Sequence, residues 1–413
     1  MGGTPTRLPS YIKLEDISDY RGLESYLIYV TGSIYKAIDQ NNGKVVISHT
    51  SADDVFNYCI GQIQNSGVLR LKSGLYKVDA AIDTGEKSIS IIGEGLGKTN
   101  LPYAYPGTVI QDLTSAYADY ILKMGGDGSS TCGMRIENLT INGRQHTNPL
   151  GAIKLNNCLN AIIENVHIVD FFNTTADQGS GIYLYGDVLC WQNQIRNCHI
   201  RRCHYGIMLK SICTGTVILG GRTEGRAATE TIGLYIDGAS SAQILGGFNN
   251  ESHAHSSGKA VYIKSGHNHR FFGLKCEGNY NDITIDPGTG TGNNHFFSPH
   301  LASLVAGGTS IVNNGGLKSW FYNGPGLSIM NRGSASITNG VGTVAVTHNL
   351  YVPAAGGGNL KVVPTTIKVL PTTAGEMATV GTIGDTTFTI TVKKHDNTNG
   401  SNQTVYWEAN YDP

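Results

Sequence analysis

Val217-Ile218-Leu219-Gly220-Gly221 leads through Glu224-Gly225 to Leu234-Tyr235-Ile236-Asp237. Gln243-Ile244-Leu245-Gly246-Gly247 leads through Glu251 to Val261-Tyr262-Ile263-Lys264, and Arg270-Phe271-Phe272-Gly273 leads through Glu277-Gly278 to Ile283-Thr284-Ile285-Asp286. These runs are copies of one unit. Glu224 and Glu251 are 27 residues apart, and Glu251 and Glu277 are 26 apart. Self-similarity at such a period is the mark of a solenoid.

The unit extends in both directions. Upstream, Arg135-Ile136-Glu137-Asn138, Ile162-Ile163-Glu164-Asn165 and Gln194-Ile195-Arg196-Asn197 each end a short apolar run in Asn. Gly220-Gly221, Gly246-Gly247, Gly273-Leu274 and Ser298-Pro299 take the same place later. Asn and Gly share a tolerance of the left-handed backbone region, which a recurrent tight bend requires. A second strand recurs downstream of each bend, as Ile153-Lys154-Leu155, Ile182-Tyr183-Leu184 and Ile207-Met208-Leu209, with apolar residues alternating. Short strands with no helix between them predict an all-β chain, a right-handed parallel β-helix over 67–315. An antiparallel sandwich is the alternative, but it does not need the same bend in every repeat.

Composition agrees. The 413 residues are 40% hydrophobic and 15% charged, with 54 glycines and a net charge of -1. Short strands and tight turns suit these figures, and neither a nucleic-acid partner nor insertion into a membrane is expected. No signal peptide is visible after Met1-Gly2-Gly3-Thr4. The eight cysteines form no tandem C-x-x-C pairs; Cys158, Cys190, Cys198, Cys203 and Cys213 fall in strand-like or turn positions and read as buried thiols, with a metal site or disulfide set as the alternative.

Residues 1–66 read as a lead-in with a hairpin, Tyr26–Val30 against Lys44–Ser48 around Asn41-Asn42-Gly43, then a short amphipathic helix over 52–64 that caps the first coil. Ser51 takes its N-cap position. Residues 93–132 break the period as a long loop with one strand pair. Residues 316–334 read as a linker or cap. Alternating strands over 335–413, from Gly342–Thr347 to Val405–Ala409, predict a small C-terminal β-sandwich for binding, capping or oligomerisation.

In a parallel β-helix equivalent residues stack at about 4.8 Å. The downstream strand then carries an outward column Lys154, Tyr183, Met208, Tyr235, Tyr262, Thr284, and two residues on a second column Asn156, Tyr185, Lys210, Asp237, Lys264, Asp286. Tyrosines flanked by charges suit a sugar ring, with its apolar face and polar edge. The same pattern also serves as a ladder that holds coils together.

Glycoside cleavage needs two carboxyl groups, separated by about 5–5.5 Å for retention and about 6.5–9.5 Å for inversion. Glu224 and Glu251 on neighbouring coils are the first candidate pair, with Asp237 or Glu277 as substitutes and Asp170 with Asp177 as a second cluster. Stacked acids repel, so one of them is expected to hold its proton more tightly. The distance from Gly-Gly to Glu differs by one residue between copies, which would turn a side chain to the other face; turn residues bonded to backbone amides are the alternative reading. Substrate contacts are expected from Tyr183, Tyr185, Tyr235, Tyr262, Lys210, Arg222, Trp191, His204 and Tyr205. Elimination on a uronate by Tyr205, His204 and Arg202 is the enzymatic alternative. His253, His255, His267 and His269 read as loop residues, and no metal or cofactor is expected.

Residues from about 25 to 300 resemble the pectate-lyase-like β-helix superfamily, in the style of tailspike-type and related viral or archaeal proteins. The resemblance is carried by Gly67-Val68-Leu69-Arg70-Leu71-Lys72-Ser73-Gly74-Leu75-Tyr76, Ile91-Ile92-Gly93-Glu94-Gly95, Cys276-Glu277-Gly278-Asn279 and, in the sandwich, Tyr406-Trp407-Glu408-Ala409. It implies a polysaccharide or surface glycan as partner, an extracellular or virion-associated setting, and often a homotrimer. Polygalacturonase-type members carry acids just before the downstream strand, where this chain has Ser180, Tyr205, Ile232 and Lys259; the calcium-binding Asp cluster of pectate lyases is also missing. The expected function is therefore a polysaccharide-degrading enzyme, first a glycoside hydrolase, with a lyase or epimerase and a non-catalytic adhesin as alternatives.

Overall fold

The computed structural model describes residues 24–97, 107–114, 119–127, 130–286, 292–302, 305–306, 308–313, 319–322, 330–338, 343–348, 351–353, 359–361, 363–364, 366–394, 396 and 398–410. Residues 1–23 of the lead-in, part of 93–132 and part of the linker lie outside them.

The periodic bends fall where the sequence puts them. Asn138 has φ 56°, Asn165 53°, Asn197 49°, Gly220 62°, Gly246 72°, Gly273 66° and Ser298 48°. Asn138 and Asn165 bend the continuous strands Arg135–Asn142 and Ile162–Phe171, whereas the later bends separate two strands, and all of these pair in parallel with their equivalents one coil away. Gln194–Arg196, Val217–Leu219, Gln243–Leu245, Arg270–Phe272 and Asn294–Phe297 form one stack. His199–Cys203, Arg222–Glu224, Asn249–Glu251, Lys275–Glu277 and His300–Ala302 form the next. The downstream strands make a separate sheet in chain order, from Ile82–Asp83 through Ser180–Trp191 and Tyr205–Thr214 to Thr309–Asn313, every neighbour parallel. The chain is a parallel β-helix, and the antiparallel alternative is excluded.

The rungs are held by internal ladders. Ile136, Ile163, Ile195, Ile218, Ile244, Phe271 and Phe296 stack in register, and Ile153, Ile182, Ile207, Leu234, Val261, Ile283 and Ile311 face them from the other sheet. All are buried, in one continuous core that runs from Ile28 to Ile311. Burying each such side chain stabilises the fold by about 1.5–3 kcal/mol. The bends give a sharp test. A Cβ on Gly273 would meet only Gly247 N at 3.9 Å, so the cost of Gly273→Ala comes from the backbone alone. It should remove about 1–2 kcal/mol, seen as a lower thermal midpoint, whereas Gly273→Asn should restore most of that.

At the N-terminus, β1 (Glu24–Thr31), β2 (Ile34–Asp39) and β3 (Lys44–His49) form an antiparallel meander. The expected hairpin is thereby corrected: β3 pairs with β2, a strand absent from the sequence reading, and β1 pairs in parallel with Ser66–Leu71 as a rung of the β-helix. Helix α1 (Ala52–Gln62) buries Val55, Phe56, Cys59 and Ile60, with the Phe56 ring 5.9 Å from that of Tyr76. Ser51 holds the N-cap position, but its hydroxyl turns to the Asp53 carboxylate and caps no backbone amide. Within 93–132, Thr108–Asp112, Tyr120–Met124 and Thr131–Cys132 are rungs, so this stretch is more regular than a loop with one strand pair.

The segment read as linker is strand at both ends. Ser319–Tyr322 pairs with Asn294–Phe297, and Met330–Ile337 belongs to the sandwich. The sandwich has two antiparallel three-stranded sheets around Val346, Phe388, Ile390, Val392, Val405 and Trp407. Cys59, Cys158, Cys190, Cys198, Cys203, Cys213 and Cys276 are buried free thiols and Cys132 is exposed. No helix among the described residues is long and apolar enough to cross a membrane.

Candidate functional site

Glu224, Glu251 and Glu277 stand in one column on successive rungs, continued upward by Arg201. The extra residue between Gly247 and Glu251 is Phe248, which is buried, so the register recovers before the strand and all three carboxylates face outward. The column beside them is His167, His199, Arg222, Asn249, Lys275, His300. A charged comb results. Arg201 Nε is 2.7 Å from Glu224 Oε1, Arg222 Nη2 is 3.0 Å from Glu224 Oε2, and His199 Nε2 is 3.7 Å from it. The other terminal nitrogen of Arg222 lies 3.7 Å from Glu251 Oε2, and Asn249 donates to the Glu251 carboxylate. The two acids thus take opposite nitrogens of one guanidinium.

The expectation of repelling acids needs correction, because the adjacent column supplies each of them with a cation or a donor. For Glu277, Lys275 at 2.7 Å holds the carboxyl below its ordinary value. His167 and His199 stack with ring centroids 4.7 Å apart, and burial lowers both, His167 to about 4. His199 Nε2 accepts a hydrogen bond from Arg222 Nε at 2.8 Å, as a neutral ring can. Next to this comb lies a shallow trough of about 420 Å³ lined by Asn197, Cys198, His199, Gly221, Arg222 and Asn249. The side chains of Glu224 and Glu251 are 18% and 24% exposed.

The tyrosine column forms in the expected register, from Lys154 through Tyr183, Met208, Tyr235 and Tyr262 to Thr284. It points away from the core yet is largely covered. Tyr205, Met208, Ile232 and Tyr235 make a separate buried cluster, with Tyr183 and Tyr262 at its rim. Tyr205 and Tyr235 lie 5.2 Å apart, and Tyr235 and Tyr262 5.4 Å apart in an edge contact. Burial raises the phenol pKa of Tyr183, Tyr205, Tyr235 and Tyr262. Alternating charges guard the edge: Lys210 pairs with Asp177, and Lys264 with Asp237 at 3.1 Å. Although burial alone would raise it, hydrogen bonds from Ser265 and Lys264 bring the Asp237 carboxyl below its ordinary value. Tyr185 leans on Tyr183 at 5.9 Å, with Lys154 over its ring at 5.7 Å. Trp191, 49% exposed, lies at the far end of the Ser180–Trp191 strand beside Leu159 and Thr214, outside this cluster.

Asp170 and Asp177 are not brought together as a pair. Asp170 is closed by Arg202 (Nε to Oδ1 2.7 Å, Nη2 to Oδ2 2.9 Å), and burial still raises its pKa. Of the elimination trio, His204 and Tyr205 do meet, with ring centroids 4.2 Å apart, but each member is already engaged or covered. Arg202 is committed to Asp170, His204 is buried with Nδ1 3.1 Å from the Gln178 carbonyl, and the Tyr205 phenol is covered. His253 and His269 lie outside the strands, as expected of loop residues, but not at the surface. They are interior residues, both held neutral to about 3 by burial, and His253 Nδ1 meets Thr231 Oγ1 at 2.9 Å. Sequence reasoning missed the cations Arg201 and Lys275 beside the glutamates, although the glutamate period itself would have aligned them. Among the described residues no group of three His, Cys, Asp or Glu converges as a metal site.

No family model matches the chain and no curated protein matches it. Among solved structures it is similar to ORF18 of Geobacillus virus E2, at 12% identity over 91% of this chain and 82% of that one, TM-score 0.42. It is also similar to the phiAB6 tailspike in complex with oligosaccharides of Acinetobacter baumannii surface polysaccharide, at 13% identity, 84% and 81% coverage and TM-score 0.45. A third is an alginate lyase from Paenibacillus sp. str. FPU-7, at 13% identity, 66% and 96% coverage and TM-score 0.37.

Proposed function

We propose that the protein acts on a polysaccharide laid against the charged comb, and that Glu224 and Glu251 cleave a glycosidic bond there with retention of configuration. The supporting observation is their placement: adjacent rungs, both outward, on one guanidinium, at the edge of a trough about 420 Å³ in volume. A rung spacing of about 4.8 Å is close to the 5–5.5 Å of retaining pairs. Glu224, held in place by Arg201 and Arg222, is the nucleophile and attacks the anomeric carbon. Glu251, with the longer contact to Arg222, gives its proton to the leaving oxygen as the C–O bond breaks. Water then attacks the glycosyl ester, Glu251 takes its proton back, and Glu224 leaves. An extracellular or virion-associated setting and a homotrimer belong to the same proposal, as the sequence resemblance implies.

A second reading, a glycan-gripping protein without chemistry, draws on the same comb, since Glu224, Glu251 and Glu277 are all engaged by cations. A panel of soluble polysaccharides separates these readings. Hydrolysis releases reducing ends without the ultraviolet absorbance of an unsaturated uronate, elimination produces that absorbance, and a gripping protein binds and releases nothing. Proton NMR of the first product should show the substrate's anomeric configuration; the opposite anomer would rule out the nucleophile assigned to Glu224.

A further inference from the structure

Arg226 lies two residues beyond Glu224 and is exposed. Its guanidinium sits over the ring of Phe172, 4.6 Å from the centroid. Phe171 pairs with Cys203, and Arg201 with Glu224, so Phe172 belongs to a coil two rungs earlier. Arg226 therefore reaches back across the rung on which Arg202 closes upon Asp170. Both Asp170 and Arg202 hold positive φ there, 70° and 53°, which keeps this corner tight beneath it. Stacking engages the face of a guanidinium and leaves its N–H edge free to bond in the plane. Arg201 and Arg222 give their edges to Glu224, and Arg202 gives its edge to Asp170. Among the described residues no carboxylate forms an ion pair with Arg226. Of these four arginines Arg226 is the one whose N–H edge is given to neither acid, although its charge also acts on Asp170 through space.

We propose that Arg226, steadied by Phe172, is a subsite for an anionic substituent of a sugar ring, carboxylate or sulfate, and that the substrate is an acidic polysaccharide. This rests on the polysaccharide reading above and names its substrate class. A planar fork suits either group through paired hydrogen bonds. The pre-stacked side chain also loses little freedom on binding. Arg226 acts in binding and not in bond cleavage, so its loss should appear in KM and leave kcat near the wild-type value.

The test begins with a panel of polyuronates, sulfated polysaccharides and neutral polysaccharides, scored for binding to the wild-type protein. The polymer that binds is then compared with its carboxyl-reduced or desulfated form, which tells the two sources of charge apart. Arg226→Gln should weaken binding of the charged polymer about tenfold or more, the worth of a charge-assisted hydrogen bond. It should leave the neutralised form unaffected and flatten the salt dependence. Arg226→Lys and Phe172→Leu, with thermal midpoints confirming that both fold, should fall between. Selection of a neutral polymer, or equal binding of the charged polymer by Arg226→Gln, overturns the subsite and leaves the polysaccharide reading standing. Binding of nothing on the panel overturns both.

Discussion

Glu251→Gln should lower kcat by about 10²–10⁴, the contribution of a positioned general acid and base. Glu224→Gln should cost at least as much, because the amide cannot form the covalent ester. Both substitutions keep the shape of the side chain and differ in what they leave behind. In Glu251→Gln the new amide oxygen can still accept from Asn249, and only the 3.7 Å ion pair with Arg222 is lost. In Glu224→Gln, by contrast, Arg201 and Arg222 stay adjacent without their shared counter-charge. Glu224→Gln should therefore also lower the thermal midpoint, and Glu251→Gln should do so less. Glu277→Gln, one rung further along and paired with Lys275, should retain activity. Initial rates on the polysaccharide found by the panel decide the point. Full activity in both the Glu224 and Glu251 variants would remove the pair.

The second large effect concerns the interior. Asp282 is fully buried between Asn281 and Ile283, which pair with Lys259 and Val261 of the preceding rung. Asn279 Nδ2 donates to Oδ1 at 3.0 Å, and Oδ2 has no hydrogen-bond partner among the described residues. Burial raises the carboxyl pKa to about 7, only partly opposed by the Asn279 bond. The folded chain therefore holds a proton that the unfolded chain, with an Asp pKa of about 3.9, has released. Between those values the native state binds more protons than the unfolded state, so stability falls as pH rises. It is fully present below about pH 4 and lost by about pH 7, and over that window the change is up to about 4 kcal/mol. Asp282→Asn mimics the protonated acid. Its thermal midpoint should match the wild type near pH 4 and exceed it increasingly toward pH 7. A difference independent of pH would mean that Asp282 is not the titrating group.

What the sequence disclosed was whatever its period controls. The bends at Asn138, Asn165, Asn197, Gly220, Gly246, Gly273 and Ser298 are local and need only tolerance of positive φ, so they are legible one at a time. Once aligned, they set the register of the tyrosine and glutamate columns. What the period does not control stays hidden. Alternation says that Tyr183, Tyr235 and Tyr262 point away from the core, but not that Tyr205, which shares the parity of Ile207 and Leu209, joins them, nor that the loop bearing Asp177 lies against them. The same rule assigns polar residues to the surface, yet His253 and His269, where the chain turns between strands, and Asp282, within the Asn281–Ile285 strand, are interior. The Ile34–Asp39 strand follows a Gly-Ser turn directly and is overshadowed by the longer apolar runs on either side. The Arg226–Phe172 contact spans two rungs, and no single repeat contains it.

The most direct measurement is peptide mass spectrometry of the Glu251→Gln protein after incubation with a glycosyl fluoride of its substrate's oligosaccharide, whose leaving group departs without a general acid. With water no longer deprotonated, the glycosyl ester should persist, and a sugar adduct should map to the peptide bearing Glu224, with none in Glu224→Gln. Product of inverted configuration from the wild-type protein, together with no adduct on Glu224 in the variant, would contradict the paired-carboxylate mechanism.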